Sequence, residues 1–406
     1  MKRIELYIIL VITCTVIFIN CKNKITPSNS ISKIKYELKI SEIDELNQIP
    51  LSDLESELQY FNLITPENIL IGEVTEMIYF ESYFIILDRK GSNKVMLFDE
   101  KGYYIRQYGN PGKGPGEYRR ADDISIDRTQ GWLYIFSSQE RKLLTFSIKD
   151  GKLINEIQLA FAASEIQPIG NNKFAIFNHD IYNPITNLGD LNYNVLFTDD
   201  SFQTILNKQF KSNSLEGQGK SVLVTGRYFY ENAGNIYLKW CFNDTTYILN
   251  KLSFEPYFQI DFASKKIISK TYEESTSNYI ILKLMDGTFH SQIKPTIICS
   301  GLFFTSFLAV SHPIKLNEIE DNMYYLVASH KTGRAVKTKI IIDDIYNGIF
   351  SFPIGATDNC FISVIYPDDL VKFIEPNTQK AFFKGTNSIV ENNMNPIICL
   401  FKLNLH

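Results

Sequence analysis

From Lys35 onward, short apolar runs alternate with turn residues almost to the end of the chain. Met77-Ile78-Tyr79-Phe80 is followed, after Glu81-Ser82 at a tight hairpin position, by Tyr83-Phe84-Ile85-Ile86-Leu87-Asp88. Val95-Met96-Leu97-Phe98-Asp99, a Glu100-Lys101-Gly102 turn and Tyr103 to Tyr108 complete four antiparallel strands. The pattern then returns. Ile124 to Asp127, Trp132 to Phe136, Lys142 to Phe146, the turn Lys149-Asp150-Gly151 and Lys152 to Ile157 form a second set, with Phe98 and Phe146 lying 48 positions apart. A four-stranded unit repeating at that period is the signature of a β-propeller blade.

Further blades follow from the same reading. Phe174 to Phe177 and Asn194 to Thr198 lie in a third; Tyr228 to Tyr230, Ile236 to Trp240 and Thr246 to Leu249 lie in a fourth. Tyr279 to Met285 and Tyr324 to Ser329 fall in a fifth; Ile349 to Phe352, Cys360 to Tyr366 and Ile397 to Leu403 lie in the last. The expected fold is all-β: a six-bladed β-propeller of four-stranded antiparallel blades. Its closure comes from an N-terminal strand, Ile34 to Leu38, pairing into the last blade and removing a free sheet edge. Ser52 to Tyr60 and Asp368 to Phe373 are read as short helices capped by Ser52 and Asp368. No stretch looks like an interdomain linker, so residues 34–406 form one domain.

Composition supports strands: 13% of residues are aromatic, and such side chains suit a pleated, half-buried surface. A net charge of −4 with no dense Lys/Arg block sets nucleic acid aside. Residues 1–20 read as a signal peptide. Lys2 and Arg3 precede an apolar run, Leu6 to Ile19, which at 14 residues falls short of the roughly 20 that a bilayer span needs. Cys21 follows this run and is read as a lipidation site, with Cys14 as rival and a plain membrane anchor or a cleaved soluble form as alternatives. Residues 21–33, rich in Ser, Asn and Lys, form the lipid-anchor tether. Cys241, Cys299, Cys360 and Cys399 are scattered singly without metal-ligand spacing and read as small buried hydrophobes.

The segment Gly109-Asn-Pro-Gly-Lys-Gly-Pro-Gly-Glu-Tyr118 and its flanks, Phe98 to Gly102 and Asp123 to Asp127, resemble the six-bladed β-propeller lipoproteins of Bacteroides and their relatives. Phe242 to Tyr247 with Glu255 to Phe262 looks like that family's blade-four strand pair; Asp343 to Gly348 with Phe352-Pro353 looks like its late Asp-Asp turn. The resemblance spans Glu73 to Asp369. It implies the fold and an export route, and no catalytic residue carries over from it. In such lipoproteins an acidic stretch after the lipidated Cys resembles a surface-export signal. Here Lys22-Asn-Lys-Ile25 stands instead, which implies the periplasmic side of the envelope.

The Gly112-Lys-Gly-Pro-Gly116 loop lacks the Ser/Thr and following helix of a phosphate loop. It reads as an inter-blade crossover whose glycines adopt positive φ. The alternative is a ligand-facing loop contacted through Lys113, Glu117, Tyr118, Arg119 and Arg120. Asp122-Asp123, Asp199-Asp200, Asp343-Asp344 and Asp368-Asp369 read as turn residues, with a Ca²⁺ site as alternative. His179, His290, His312, His330 and His406 form no metal-binding pair in sequence, and no Gly-x-Ser-x-Gly elbow occurs. Trp132, Trp240, Tyr228 and Tyr230 read as inter-blade packing rather than a carbohydrate groove. Asp244-Thr-Thr246 fits a short O-glycosylation pattern of Bacteroides-like bacteria.

The expected function is a non-catalytic binding or scaffolding propeller of the cell envelope. It is held to the membrane by its N-terminal lipid and engages a peptide, glycan or envelope protein. The alternative is a metal-dependent hydrolase or lactonase-like propeller, which rests on fold analogy alone. Three or more carboxylate or Asn oxygens converging in the central channel would favour the enzyme; an apolar or basic funnel would favour binding.

Overall fold

The computed structural model describes residues 26–27, 34–54, 57–178, 183, 188–212, 227–267, 277–346, 348–373 and 395–405. Cys21, the signal segment, His179 and His406 lie outside them.

Six sheets are arranged as blades in a ring. Blade one comprises Glu76–Phe80, Tyr83–Asp88, Lys94–Asp99 and Tyr104–Tyr108, and blade two Asp123–Asp127, Trp132–Ser137, Lys142–Ser147 and Leu153–Gln158. Blade three comprises Glu165–Pro168, Lys173–Phe177, Tyr193–Asp199 and Ile205–Lys211, and blade four Phe229–Asn232, Asn235–Leu238, Thr245–Asn250 and Ser253–Asp261. In blade five the inner strand is broken into Ser291–Gln292 and Ile297–Cys299, both paired to Leu302–Leu308, with Met323–Ser329 and Ala335–Thr338 outside. Blade six takes Gly355–Ala356, Phe361–Ile365 and Ile397–Lys402 from the C-terminal part of the chain and its outermost strand, Glu57–Asn62, from the N-terminal part.

Closure by an N-terminal strand therefore holds, but through a different segment. Tyr36–Lys39, in the segment expected to close the ring, instead runs parallel to Ser253–Asp261 as a fifth strand of blade four. Asp44–Leu46 then adds to blade five and Ile49–Pro50 pairs with Ile341–Ile342, so the N-terminal ribbon stitches three consecutive blades. Only a single 3-10 turn, Leu51–Leu54, forms where a helix over Ser52 to Tyr60 was expected. Beyond it the chain alternates, Leu58 and Tyr60 facing the blade five–six core and Phe61 the blade six–one core, which is strand periodicity. The opposite correction applies to Tyr279 to Met285. This apolar run is an α-helix, Ser277–Met285, whose Ile280 and Leu284 are buried four residues apart against Phe242, Leu308 and Val310. A seven-residue run such as Tyr279 to Met285 is too short for periodicity to separate strand from buried helix. The second expected helix is present as Pro367–Phe373.

The strands read as continuous apolar runs because each blade is sandwiched between two others. Phe84, Ile85, Ile86 and Leu87 are all at most 1% exposed. The apolar side chains segregate into one cluster at each of the six blade interfaces, with the core under the Ser277–Met285 helix as a separate one. Blades one to four share a register shift at one place, between the third strand and the outer one: Leu97/Phe98, Thr145/Phe146, Phe197/Thr198 and Thr246/Tyr247. An extra residue there strengthens local twist, which turns the outer strand across the ring's circumference.

The ring is sealed where the turn Asp99 to Gly102 meets the closing strand. Ile64 N–H donates to the Gly102 carbonyl at 2.8 Å, and Gly102 sits at φ +86°. A Cβ at that position would lie 2.1 Å from the Asn62 carbonyl oxygen. Gly102→Ala is therefore expected to destabilise the fold by about 2–3 kcal/mol through backbone strain and the forced retreat of the closing strand. Chemical denaturation would show this, and a change within error would refute the account of closure.

Candidate functional site

Inner strands of all six blades surround a central channel. A recess of about 510 Å³, partly continuous with solvent, is lined by Ile78, Ile126, Gln167, Tyr230, Ile297 and Ala356, one from each blade, among others. A pre-formed concavity at the convergence of several elements is where small ligands bind in most folds.

At the start of the inner strands lies a buried charge cluster that the sequence reading did not identify. Glu76, Asp123 and Glu165 open the inner strands of blades one, two and three, and each reaches to the next blade. Glu76 accepts from Ile124 N–H at 3.2 Å, and Asp123 from Ile166 N–H at 2.9 Å. Glu165 accepts from Tyr228 N–H at 2.8 Å and from Phe229 N–H at 2.9 Å. The carboxylates act as inter-blade staples, each satisfying backbone donors that open a neighbouring strand. Asp244 plays a related part from blade four to blade five, accepting from Ser291 Oγ at 2.8 Å. At positions 123 and 165 the signal was an acid preceding an alternating apolar run, whereas Glu76 precedes the unbroken run Met77 to Phe80.

Two arginines hold these acids in place. Arg89 Nη2 lies 3.0 Å from Glu76 Oε1, and Arg227 Nε lies 3.7 Å from Glu76 Oε2. Burial, reinforced by the Asp123 charge, raises the Glu76 carboxyl to about 7 against the opposing pull of both arginines. Burial with the neighbouring Asp123 and Glu76 charges drives Glu165 well above the usual carboxylate range, and burial also raises Asp123. Burial works against the Arg227 cation, but the surrounding carboxylates outweigh it and keep the guanidinium charged.

Towards the C-terminal ends of the same strands, Arg128 Nε pairs with Glu231 at 2.7 Å and its Nη2 donates to the Tyr79 carbonyl at 3.1 Å. Asn232 Nδ2 crosses from blade four to donate to the Thr357 carbonyl at 2.7 Å, and Gln167 Nε2 donates to the Pro168 carbonyl at 3.1 Å. These polar groups of the recess are held by one another and by backbone. Such an arrangement presents fixed charges and dipoles to a ligand.

The Gly-rich loop bonds mainly to itself and to blade two. Gly114 N–H donates to Glu117 Oε2 at 2.7 Å, and Gly116, at φ +72°, donates to Glu156 Oε2 at 3.0 Å. Tyr118 is fully buried in the blade one–two core. Arg119 approaches Glu140 at 3.5 Å and Arg120 pairs with Asp122 at 2.6 Å, both from exposed positions; Lys113 is exposed. The crossover therefore uses Glu117 and Tyr118 internally and leaves Lys113, Arg119 and Arg120 on the surface.

The acidic pairs serve turns and staples. Asp343 accepts from Ile345, Tyr346 and Gly348 N–H and from the Tyr60 hydroxyl, while Asp344 accepts from Ser52. Among the described residues, no group of three or more His, Cys, Asp or Glu side chains is placed to hold a metal ion. Cys241, Cys299 and Cys399 are buried, and Cys360 is half-buried. Trp240 and Tyr228 pack in the blade three–four core, Trp132 against the blade two–three core and Tyr230 in the blade four–five core. Thr245 and Thr246 are 8% and 0% exposed, and Thr246 Oγ1 bonds Thr296 Oγ1 at 3.0 Å, so the Asp244-Thr-Thr246 pattern is closed to a glycosylating enzyme in the folded chain.

Two solved structures from Bacteroides share this architecture. A Bacteroides fragilis protein provisionally described as exported superposes with a TM-score of 0.67 at 17% identity, over 89% of this chain and 100% of that one. A member of the DUF4221 family from Bacteroides vulgatus superposes with a TM-score of 0.53 at 11% identity, over 86% of this chain and 97% of that one. At these identities the likeness speaks to fold alone. No curated protein matches the chain. Residues 35–402, the whole ring with its N-terminal stitching strands, match the family described as "Domain of unknown function (DUF4934)", and the chain belongs to that family.

Proposed function

We propose that this chain is an exported, lipid-anchored binding or scaffolding propeller of the bacterial cell envelope. Its channel mouth and surrounding loops engage a peptide, a glycan or an envelope protein. The observation that carries this reading is the recess shared by all six blades, in which Arg128 is held by Glu231 and Gln167 and Asn232 by backbone carbonyls, while the buried Tyr230 hydroxyl has no hydrogen-bond partner among the described residues. Export is supported by the apolar run before Cys21 and by the description of the Bacteroides fragilis structural relative. The segments 1–20 and 21–33 serve as signal peptide and tether, and Lys22-Asn-Lys-Ile25 favours the periplasmic leaflet. Lys113, Arg119 and Arg120 supply a second, loop-borne contact surface. Stable anchoring needs more than one acyl chain, which lipoprotein maturation provides.

Capture from membranes tests this, with the lipidated protein as bait and an Arg128→Ala/Glu231→Ala variant as control. A reproducible partner lost in that variant supports binding at the mouth. Metal-dependent turnover of a small substrate, with no partner captured, overturns it in favour of the hydrolase reading. Separately, Cys21→Ala is expected to move the protein from the detergent phase to the aqueous phase on Triton X-114 partition and to abolish labelling by a radioactive fatty acid. Unchanged labelling would place the lipid elsewhere.

A further inference from the structure

Among the described residues, the most exposed large apolar side chains are Leu70 and Leu316, each 65%, and Leu282, 62%. Leu70 stands on the connection from blade six to blade one. Leu282 and Leu316 share a different corner of the ring. Leu282 lies on the outward face of the Ser277–Met285 helix, three positions after the exposed Tyr279 and opposite the buried Ile280 and Leu284. Ile314 N–H donates to the Met285 carbonyl at 2.9 Å, so Leu316, two residues on, leaves the fold beside the end of that helix. Exposed Lys265, Lys266 and Lys315 accompany them, and Asp286 at the helix end is paired with Lys283 at 2.8 Å. Lys265 Nζ donates to the Gly287 carbonyl at 2.5 Å, which ties the first of these lysines to the same end. Apolar side chains turned outward among lysines are the make-up of a helix that lies in a membrane interface.

The path of the N-terminal segment brings a membrane to this corner. Tyr36–Lys39 runs parallel to the outer strand of blade four, with Lys39 opposite Asp261. Asp261 leads directly through Phe262 into the 3-10 turn Ala263–Lys265, where the Lys265 carbonyl accepts from His290 N–H at 2.8 Å. The Lys39 end of that strand therefore adjoins both ends of the excursion that carries the helix. Thr26 pairs antiparallel with Glu37 and Pro27 with Tyr36, so the chain enters this pair from the Lys39 side. Cys21, outside the described residues, is five positions before Thr26, a reach of at most about 18 Å. A tether that short holds the corner at high effective concentration beside the bilayer, so a few apolar side chains suffice where they would not recruit a free protein.

We infer that the outward face of the Ser277–Met285 helix, together with Leu316, rests on the same phospholipid bilayer that holds the N-terminal lipid. The inference rests on the lipid-anchor reading above and deepens it by naming a membrane-contact surface and an orientation. Leu282 and Leu316 enter the interface while the lysines meet lipid phosphates. The helix precedes the inner strand of blade five, which opens at Ser291, at the end of the ring where Glu76, Asp123 and Glu165 open theirs. Arg128 and Glu231 stand towards the opposite ends of the inner strands, so that mouth of the channel opens away from the bilayer and stays accessible to a partner.

Quenching by brominated lipid tests this on the lipidated full chain in phosphatidylcholine–phosphatidylglycerol vesicles. Leu282→Trp and Leu316→Trp report on the corner, Tyr83→Trp reports on a blade one hairpin at the Arg128 end, and the emission of Trp132 and Trp240 in the parent chain is subtracted. All three positions are exposed, so the variants are expected to fold as the parent does. The added indole at 282 or 316 is expected to lose about half of its emission or more, and the one at 83 none. Adding Leu316→Glu to Leu282→Trp is expected to weaken the quenching at least about twofold. Equal quenching at 282 and 83, or none at 282 while fatty-acid labelling of Cys21 is confirmed, overturns the inference and leaves the anchor reading standing. An indole at 282 that is shielded from acrylamide yet not reached by brominated lipid would mean that a second protein surface covers the corner, which also overturns it. If labelling does not depend on Cys21, the anchor reading falls and the inference falls with it.

Discussion

Replacing Arg227 with methionine is expected to destabilise the propeller by about 3–5 kcal/mol at pH 8, the usual scale for stripping one partner from a buried charge cluster. Glu76, Asp123 and Glu165 would keep their inter-blade hydrogen bonds but lose the cation that offsets their mutual repulsion, with Arg89 left to hold Glu76 alone. The defect is expected to shrink at pH 5, where the acids with raised pKa take up protons and no longer repel. Urea titrations of parent and variant at both pH values would read this. A loss below about 1 kcal/mol, or one that is the same at the two pH values, would mean that the carboxylates are held by their backbone donors alone.

The second large effect is the shape of stability against pH. Glu76 is raised from 4.5 to about 7 and Asp244 from 3.8 to about 6, each chiefly by burial. The folded chain therefore binds more protons than the unfolded chain between roughly pH 4 and 7, and stability falls as pH rises through that window. For Glu76 alone the shift corresponds to something on the order of 3 kcal/mol. Lys239 behaves oppositely: burial lowers it from 10.5 to about 8. Between those values the unfolded chain binds the extra proton, and stability rises with pH. Above pH 8 that gain is opposed by Cys299 and Cys399, raised by burial from 9.0 to about 12, which keep their protons in the folded chain, so stability is expected to fall from pH 4 to 7 and then to level off. The exposed carboxylates lowered by their ion pairs and hydrogen bonds, Asp150 and Asp286, titrate between 3.8 and about 2 and act below this range. Denaturation series at pH 5, 7.5 and 9.5 check the curve, with Glu76→Gln expected to flatten its acid limb and Lys239→Met expected to make stability fall between pH 7.5 and 9.5. A monotonic rise from pH 5 to 7.5 would show that the cluster titrates as ordinary surface acids do.

Much of the architecture was legible in the chain. Blades one and two declare themselves because both faces of each strand are buried, so Tyr83 to Asp88 and Trp132 to Phe136 read as unbroken apolar runs between turn residues. The Glu100-Lys-Gly102 and Lys149-Asp-Gly151 turns need positive φ at their glycines, which the structure gives as +86° and +75°. Local steric and burial preferences fix these features, and they act over a handful of neighbouring residues. The crossover role of the Gly-rich loop was likewise read from contiguous residues.

Other features depended on partners distant in sequence. Whether Tyr36–Lys39 or Glu57–Asn62 closes the ring depends on which strand meets Ile397–Lys402, more than 330 positions away, and both segments carry comparable strand character. The run Tyr279 to Met285 became helix because the pocket formed by Phe242, Leu308 and Val310 accepts residues four apart. The charge cluster was least visible of all. Glu76, Asp123, Glu165 and Arg227 are ordinary polar residues in sequence, and only ring closure brings them together and removes the water around them. Sequence alone determined strand, turn and repeat, because short-range sterics and burial pattern set them. The tertiary structure alone decided which charges share a low-dielectric interior, because desolvation and Coulomb energy depend on distance in space.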